Sequence, residues 1–211
     1  MKNLYIVGAG GCDREVLQII KDIHRIQGPR WNIVGFLDDT EDPLAGKECD
    51  CKVVGTIKDF QPGENDVLAM AIADPAGKRK LAKLLLDKGA VFENIIHPSA
   101  GIAEYVEMGI GNILYYGLTI SNNTRIGNFV TLLHSFIGHD VEIGDYSTIS
   151  AICNITGHVK IGKEVFIGGS CAIVPHAVVE DHAYVGMGSV VLRHVRTGKK
   201  VFGNPAREVS I

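Results

Sequence analysis

No stretch of this 211-residue chain is apolar for long enough to cross a bilayer, which takes about 20 consecutive apolar residues. Neither sign of charge dominates: 21 Lys and Arg stand against 24 Asp and Glu, a formal net charge of −3. A nucleic-acid partner requires a basic surface, so neither nucleic acid nor membrane is expected as a partner. Cysteines are scarce and odd in number, Cys12, Cys49, Cys51, Cys153 and Cys171, without the spacing of a disulfide framework. Cys49 and Cys51 flank Asp50 in a loop, with no second pair to complete a zinc site. The opening residues MKNLYIVGAGG run into a glycine turn without an apolar targeting segment or a cleavage site. Together with unpaired cysteines, this predicts a cytoplasmic protein.

What the chain does have is a period. From Ile137 an aliphatic residue recurs at every sixth position, through Ile143, Ile149, Ile155, Ile161, Ile167, Ile173, Val179 and Val185 to Val191. With Ile and Val at roughly one residue in five, ten successive matches by chance have a probability on the order of 10⁻⁷. Helices repeat at 3.6 residues and strands at 2, so neither produces this pattern. Six residues fit one short strand and one tight turn. Three such units close a triangular coil of about 18 residues, and coils stack at the parallel-strand spacing of about 4.8 Å. Gly follows the aliphatic residue at Gly138, Gly144, Gly162, Gly168 and Gly186, where a side chain would crowd the bend. An earlier run, Ile102, Met108, Leu114, Ile120, Ile126 and Leu132, shares the period, but the step from Leu132 to Ile137 is five. One unit is short, and the coil must tighten or bulge there. In these repeats the chain resembles the hexapeptide-repeat acyltransferases, whose fold is a left-handed parallel β-helix; roughly five coils are expected.

Before the repeat, Asn3 to Val7 reads as a buried strand, Gly8-Ala9-Gly10-Gly11 as a turn and Arg14 to Ile26 as an amphipathic helix. A second strand, Ile33 to Leu37, ends in Asp38-Asp39; a third, Val67 to Ala73, leads into a helix from Pro75 to Lys88, and Val91 to Ile96 closes a small parallel α/β sheet. A Rossmann-like domain over residues 1–93 and a β-helix over residues 94–211 follow. Ligands of such sheets bind beyond the carboxyl ends of the strands, where the glycines and Asp38-Asp39 fall. Backbone amides at the helix start can approach a phosphate, and a carboxylate after the second strand can accept bonds from a ribose or base. A purely structural turn with a solvated acidic loop is the competing reading.

The segments Leu4 to Gly11, Arg14-Glu15-Val16, Gly35 to Asp39, Val54-Gly55 and Ile96 to Ala100, in this order ahead of the repeat, resemble the sialic acid and bacillosamine acetyltransferase family over essentially the whole chain. The resemblance implies transfer of acetyl from acetyl-coenzyme A to a nucleotide-linked amino sugar, with O-acetylation of a sialic acid or other sugar as the alternative. It places Gly10, Gly11, Cys12, Asp38, Asp39 and Ala73 at the acceptor. The chain departs from relatives at Cys12-Asp13, where they carry a small residue, His or Phe and then Gly, and at Ala73, where they carry Gly.

By the same resemblance Gly138-His139-Asp140 is the catalytic segment, with His139 as general base and Asp140, or else Asp145, as its helper. Imidazole, with an unperturbed pKa near 6.5, can take the acceptor's proton at neutral pH, and a carboxylate beside it fixes the tautomer. Thr148, Gly168, Gly169, Gly186 and Met187 are placed along the coenzyme. His134, in the short unit, is a candidate contact to the sugar. Arg193, Arg196, Lys199, Lys200 and Arg207 suit either the coenzyme's phosphates or a solvated cap. The family assembles as homotrimers with active sites between subunits, and no metal cofactor is expected. Two readings of another kind remain. The gamma-class carbonic anhydrases share the β-helix and bind zinc through H-x4-H plus an upstream histidine, a spacing that His134 and His139, with His97, also have. A non-catalytic binding trimer would keep the fold without the reaction.

Overall fold

A computed structural model describes residues 1–210. The amino-terminal part is one parallel sheet. Strands β1 (Lys2–Val7), β2 (Trp31–Leu37), β3 (Val53–Gly55), β4 (Asp66–Met70) and β5 (Val91–Phe92) run in the order β3-β2-β1-β4-β5. Helices α1 (Gly11–Gln27) and α2 (Pro75–Asp87) provide the crossovers. Strand order reverses beside β1, and the glycine turn lies at its carboxyl end, the position at which open α/β sheets generally bind ligands. α1 buries Val16, Leu17, Ile19, Ile20 and Ile23 against β1 and β2. The edge strand β3 is an addition to the sequence reading; three residues are too few to carry a recognisable alternation. Val91–Ile96 is also divided: Val91–Phe92 ends the sheet, while Ile95–Ile96 already pairs with Ile113–Leu114 in the solenoid.

From Ile95 onward the chain winds into three parallel sheets, the faces of a triangular prism. The first face stacks the pairs starting at Ile95, Ile113, Thr131, Thr148, Phe166 and Tyr184 on Lys200–Phe202, giving seven parallel strands, more than the five coils expected. The surplus comes from the irregular coils before Ile137 and after Val191, which pair in the same ladders. The second face runs from Gly101 through Thr119, Phe136, Asn154 and Ala172 to Val190, and the third from Glu107 through Arg125, Glu142 and Lys160 to Val178. The aliphatic residue of each sixfold unit points inward, and all ten from Ile137 to Val191 are at most 3% exposed.

Two devices make the corners. Left-handed backbone recurs at Tyr105, Asn123, Asp140, His158 and His176 between the second and third faces, with φ from 56° to 62°. Gly138, two residues before Asp140, and Gly168, two before the left-handed Ser170 on the edge between the first and second faces, serve another need. A Cβ on Gly138 would lie 2.7 Å from Gly157 N and one on Gly168 2.6 Å from Met187 N, so these positions are small because consecutive coils touch there. The short unit tightens rather than bulges. Between Thr131–Leu132 and Phe136–Ile137 only three residues turn the corner, the left-handed residue is missing, and the ladders on either side stay in register.

Each face is finished differently. α1 and α2 lie on the first: Ile95, Ile113 and Tyr115 share the core of α1, and Phe129 meets Phe92 edge-on at 4.9 Å. The third carries a charged ladder, Glu107 with Arg125 and Glu142 with Lys160. The second has neither cover nor charge, and Phe136 on it is 45% exposed.

Candidate active site

His139 and Asp140 sit on the edge between the second and third faces. Asp140 takes the left-handed corner position, which Asp tolerates better than most residues. Its Oδ2 lies 2.7 Å from His139 Nδ1, and this hydrogen bond holds the carboxyl below the usual carboxylate range. With the proton kept on Nδ1, Nε2 presents its lone pair outward, as a general base must. Asp145 is engaged elsewhere: its Oδ1 accepts from the backbone and side-chain nitrogens of Asn128 at 2.8 and 3.2 Å, and it stands at the next corner. Of the two carboxylates, Asp140 is the one in contact with the His139 ring.

Two neighbours of His139 escape a reading by sixes and are visible by eighteens. Gly157, one coil on, provides the floor under the imidazole, since a Cβ there would stand 2.6 Å from both Cε1 and Nε2. His158 follows Asp140 by one coil, and its Nδ1 lies 3.8 Å from the same Oδ2. His176, a coil further, stacks flat on His158 with ring centroids 4.7 Å apart.

His134 is not with them. It lies in the shortened corner between the first and second faces, stacked on Tyr116 with centroids 5.6 Å apart and planes 9° from parallel. His97 is buried, with Nε2 3.5 Å from Asp22 and Nδ1 2.8 Å from Ser99 Oγ. Within the chain the H-x4-H spacing therefore joins two different edges, and the three-histidine zinc constellation is not brought together.

The residues expected at the acceptor line the end of β1. Gly10 and Gly11 are exposed at the start of α1. Asp38 braces the turn, its two oxygens accepting from the amides of Ala9 and Thr40 at 2.8 and 2.7 Å; Asp39 is exposed and accepts from Lys58 N. Cys12 faces the solenoid, Sγ 3.1 Å from the hydroxyl of Tyr115, and burial pushes its thiol pKa up. Asp13 is 6% exposed; burial raises its pKa to about 7, and Oδ1 has no hydrogen-bond partner among the described residues.

Among the coenzyme-side residues Thr148 requires a correction. It is 1% exposed, donates to the Ala73 carbonyl at 2.7 Å and accepts from Lys78 Nζ at 2.8 Å, so it pins α2 to the first face and leaves no hydroxyl for a coenzyme. Ala73 is tied up by the same bond. Lys78, absent from the sequence reading, is wholly buried with Thr131 as its other side-chain partner, and burial lowers its pKa to about 7. Gly168, Gly169 and Met187 do meet, on the His134 edge; Met187 is 76% exposed, while Gly186 makes room for the Phe202 ring.

A nucleotide-type crevice docked on a parallel solenoid with an outward His-Asp pair defines a hexapeptide-repeat acyltransferase. Residues 3–85 match the PglD N-terminal domain. GDP-perosamine N-acetyltransferase of Escherichia coli O157:H7 is 34% identical over 218 residues, spanning 98% of this chain and 96% of that protein. The chain thus belongs to the bacterial sugar acetyltransferases of the hexapeptide-repeat family that carry a PglD amino-terminal domain. The fold also matches the acetyltransferase domain of PglB from Neisseria gonorrhoeae FA1090 in complex with acetyl coenzyme A, at a TM-score of 0.86 and 22% identity over 99% of each chain. PerB from Caulobacter crescentus, in complex with CoA and GDP-perosamine, matches at 0.85 and 24% over 100% of this chain and 98% of that one.

Proposed function

We propose that the protein transfers acetyl from acetyl-coenzyme A to the amine of a nucleotide-linked amino sugar of the GDP-perosamine type. The full-length likeness to a GDP-perosamine N-acetyltransferase, together with the intact His139-Asp140 pair, carries this reading. The nucleotide rests on Gly10, Gly11 and Asp39, and its amine is delivered to His139. The amine attacks the thioester carbonyl as Nε2 takes its proton; the tetrahedral intermediate then expels the coenzyme thiolate, which recovers that proton from the imidazolium. Asp140 keeps Nδ1–H in place and balances the transient positive charge. A sugar hydroxyl could be acetylated by the same machinery, so the acceptor is decided by what the amino-terminal crevice holds.

The reading needs more than one copy. In a single chain His139 occupies one edge of the prism, while the glycine turn, Gly168, Gly169 and Met187 lie toward another. The bare second face separates those edges. Three-fold closure through it sets the His139 edge of each copy beside the His134 and Met187 edge of the next. The coenzyme then lies in that cleft, its phosphates toward Arg193, Arg196, Lys199 and Arg207, which share one recess at the solenoid's end. A cytoplasmic site of action suits five cysteines that are all free thiols.

Thiol release from acetyl-coenzyme A, measured with GDP-, UDP- and CMP-linked amino sugars and free sialic acid, tests the proposal. Turnover with one nucleotide amino sugar is expected, with a loss of about 10² to 10⁴ in His139→Asn and acetyl-coenzyme A binding retained. Release with sialic acid alone would transfer the reading to O-acetylation. No release with any acceptor would leave a binding trimer.

A further inference from the structure

We propose that His139, Asp140 and His158 form a site for a divalent transition metal, and that zinc bound there shuts off the acetyl transfer. The inhibitory half rests on His139 being the base.

Asp140 Oδ2 lies 2.7 Å from His139 Nδ1 and 3.8 Å from His158 Nδ1, and one ligand atom from each of the three residues falls within 4.8 Å of the others. Zinc binds imidazole nitrogen and carboxylate oxygen at about 2.0 to 2.2 Å, so tetrahedral ligand atoms stand roughly 3.4 Å apart. Two of the separations lie on either side of that value, and side-chain rotations that move the ligand atoms by about 1 Å bring the three onto it. The backbone is already set for this. Asp140 and His158 both hold left-handed corners, with φ of 56° and 60°, and His158 N donates to His139 O at 2.9 Å. His176 backs the His158 ring, and its stacked plane limits where that ring can turn. Two nitrogens and one oxygen suit zinc, cobalt or nickel rather than magnesium or calcium, which take oxygen ligands.

Inhibition follows from the tautomer. In the free enzyme Asp140 keeps the imidazole proton on Nδ1 and leaves the Nε2 lone pair to the substrate. A metal on Nδ1 takes over both that nitrogen and the carboxylate oxygen. The neutral ring's single proton then resides on Nε2, no proton is lost overall, and no lone pair remains to accept one from the amine.

The test uses the full-length protein freed of metal with EDTA. Zinc chloride titrated into it calorimetrically is expected to bind one ion per chain, and cobalt(II) to give visible absorption of a low-symmetry site. His158→Asn suits the left-handed corner and removes one ligand; it should weaken zinc by at least about tenfold. Thiol release by the same variant, read against its own zinc-free rate, should no longer respond to zinc. Equal zinc affinity in wild type and His158→Asn would overturn the site. Weakened binding with unchanged zinc sensitivity of turnover would overturn the inhibitory role. An inactive wild type would count against His139 as the base, while the calorimetry would still decide the site.

Discussion

Gly157 shows how much of the candidate active site depends on an atom that is absent. The imidazole of His139 rests where a methyl group on Gly157 would be, so Gly157→Ala should tilt the ring away from the acceptor while leaving the inward columns untouched. Misplacement of about 1 Å can cost on the order of 100-fold, and kcat should fall by that order with little change in Tm, as steady-state thiol release and a thermal melt would show. Asp13 offers a second test at this scale. Burial holds its folded pKa near 7 against an ordinary 3.8, so between those values the native state carries a proton that the unfolded chain has released. Stability therefore falls as pH rises from about 4 to about 7, by on the order of 4 kcal/mol. Asp13→Asn should flatten that part of the pH profile in chemical denaturation; an unchanged slope would mean that the carboxyl is ionised in the folded protein.

Between elements, the contact of α2 with the first face turns on one lysine. Lys78 is buried without a carboxylate partner and titrates near 7, far below the usual 10.5, so above pH 7 the unfolded chain binds a proton that the native one does not. Stability should rise from pH 7 toward 10, and Lys78→Met should abolish the rise. The same contact marks where the sequence stops being informative. A sixfold period identifies which residues point inward, and it did so for every coil from Ile137 to Val191. It is silent on what covers the outward ones. Thr148 reads as one more outward position, and only the docking of α2 converts it from a coenzyme contact into a domain pin. The contact of Cys12 with Tyr115 is equally invisible to the sixfold count, because it crosses from α1 to the solenoid. His139 and Asp140 were legible because neighbours in sequence are neighbours on a corner. Gly157 and His158 were not, because their partners stand a whole coil away, a distance that hexapeptide counting does not register.

For the whole molecule, the three differently finished faces decide assembly. α1 and α2 occupy the first and charges solvate the third, which leaves Phe136 and its neighbours on the second for another copy. The proposed trimer predicts that Phe136→Glu gives monomers in sedimentation and abolishes turnover, since His139 would lose the opposing edge, while circular dichroism stays unchanged. A trimer that survives this change would place the interface elsewhere.

The three-residue corner at Leu133, His134 and Ser135 bears on how such a protein changes over generations. Deleting a residue from a strand would rotate every later side chain by one place and empty the interior, yet the loss here disturbed no ladder on either side. A vertex of three residues therefore serves this solenoid as well as one of four. A lineage can reshape an edge of the prism by lengthening or trimming a vertex, one amino acid at a time, without reopening the problem of how to fold.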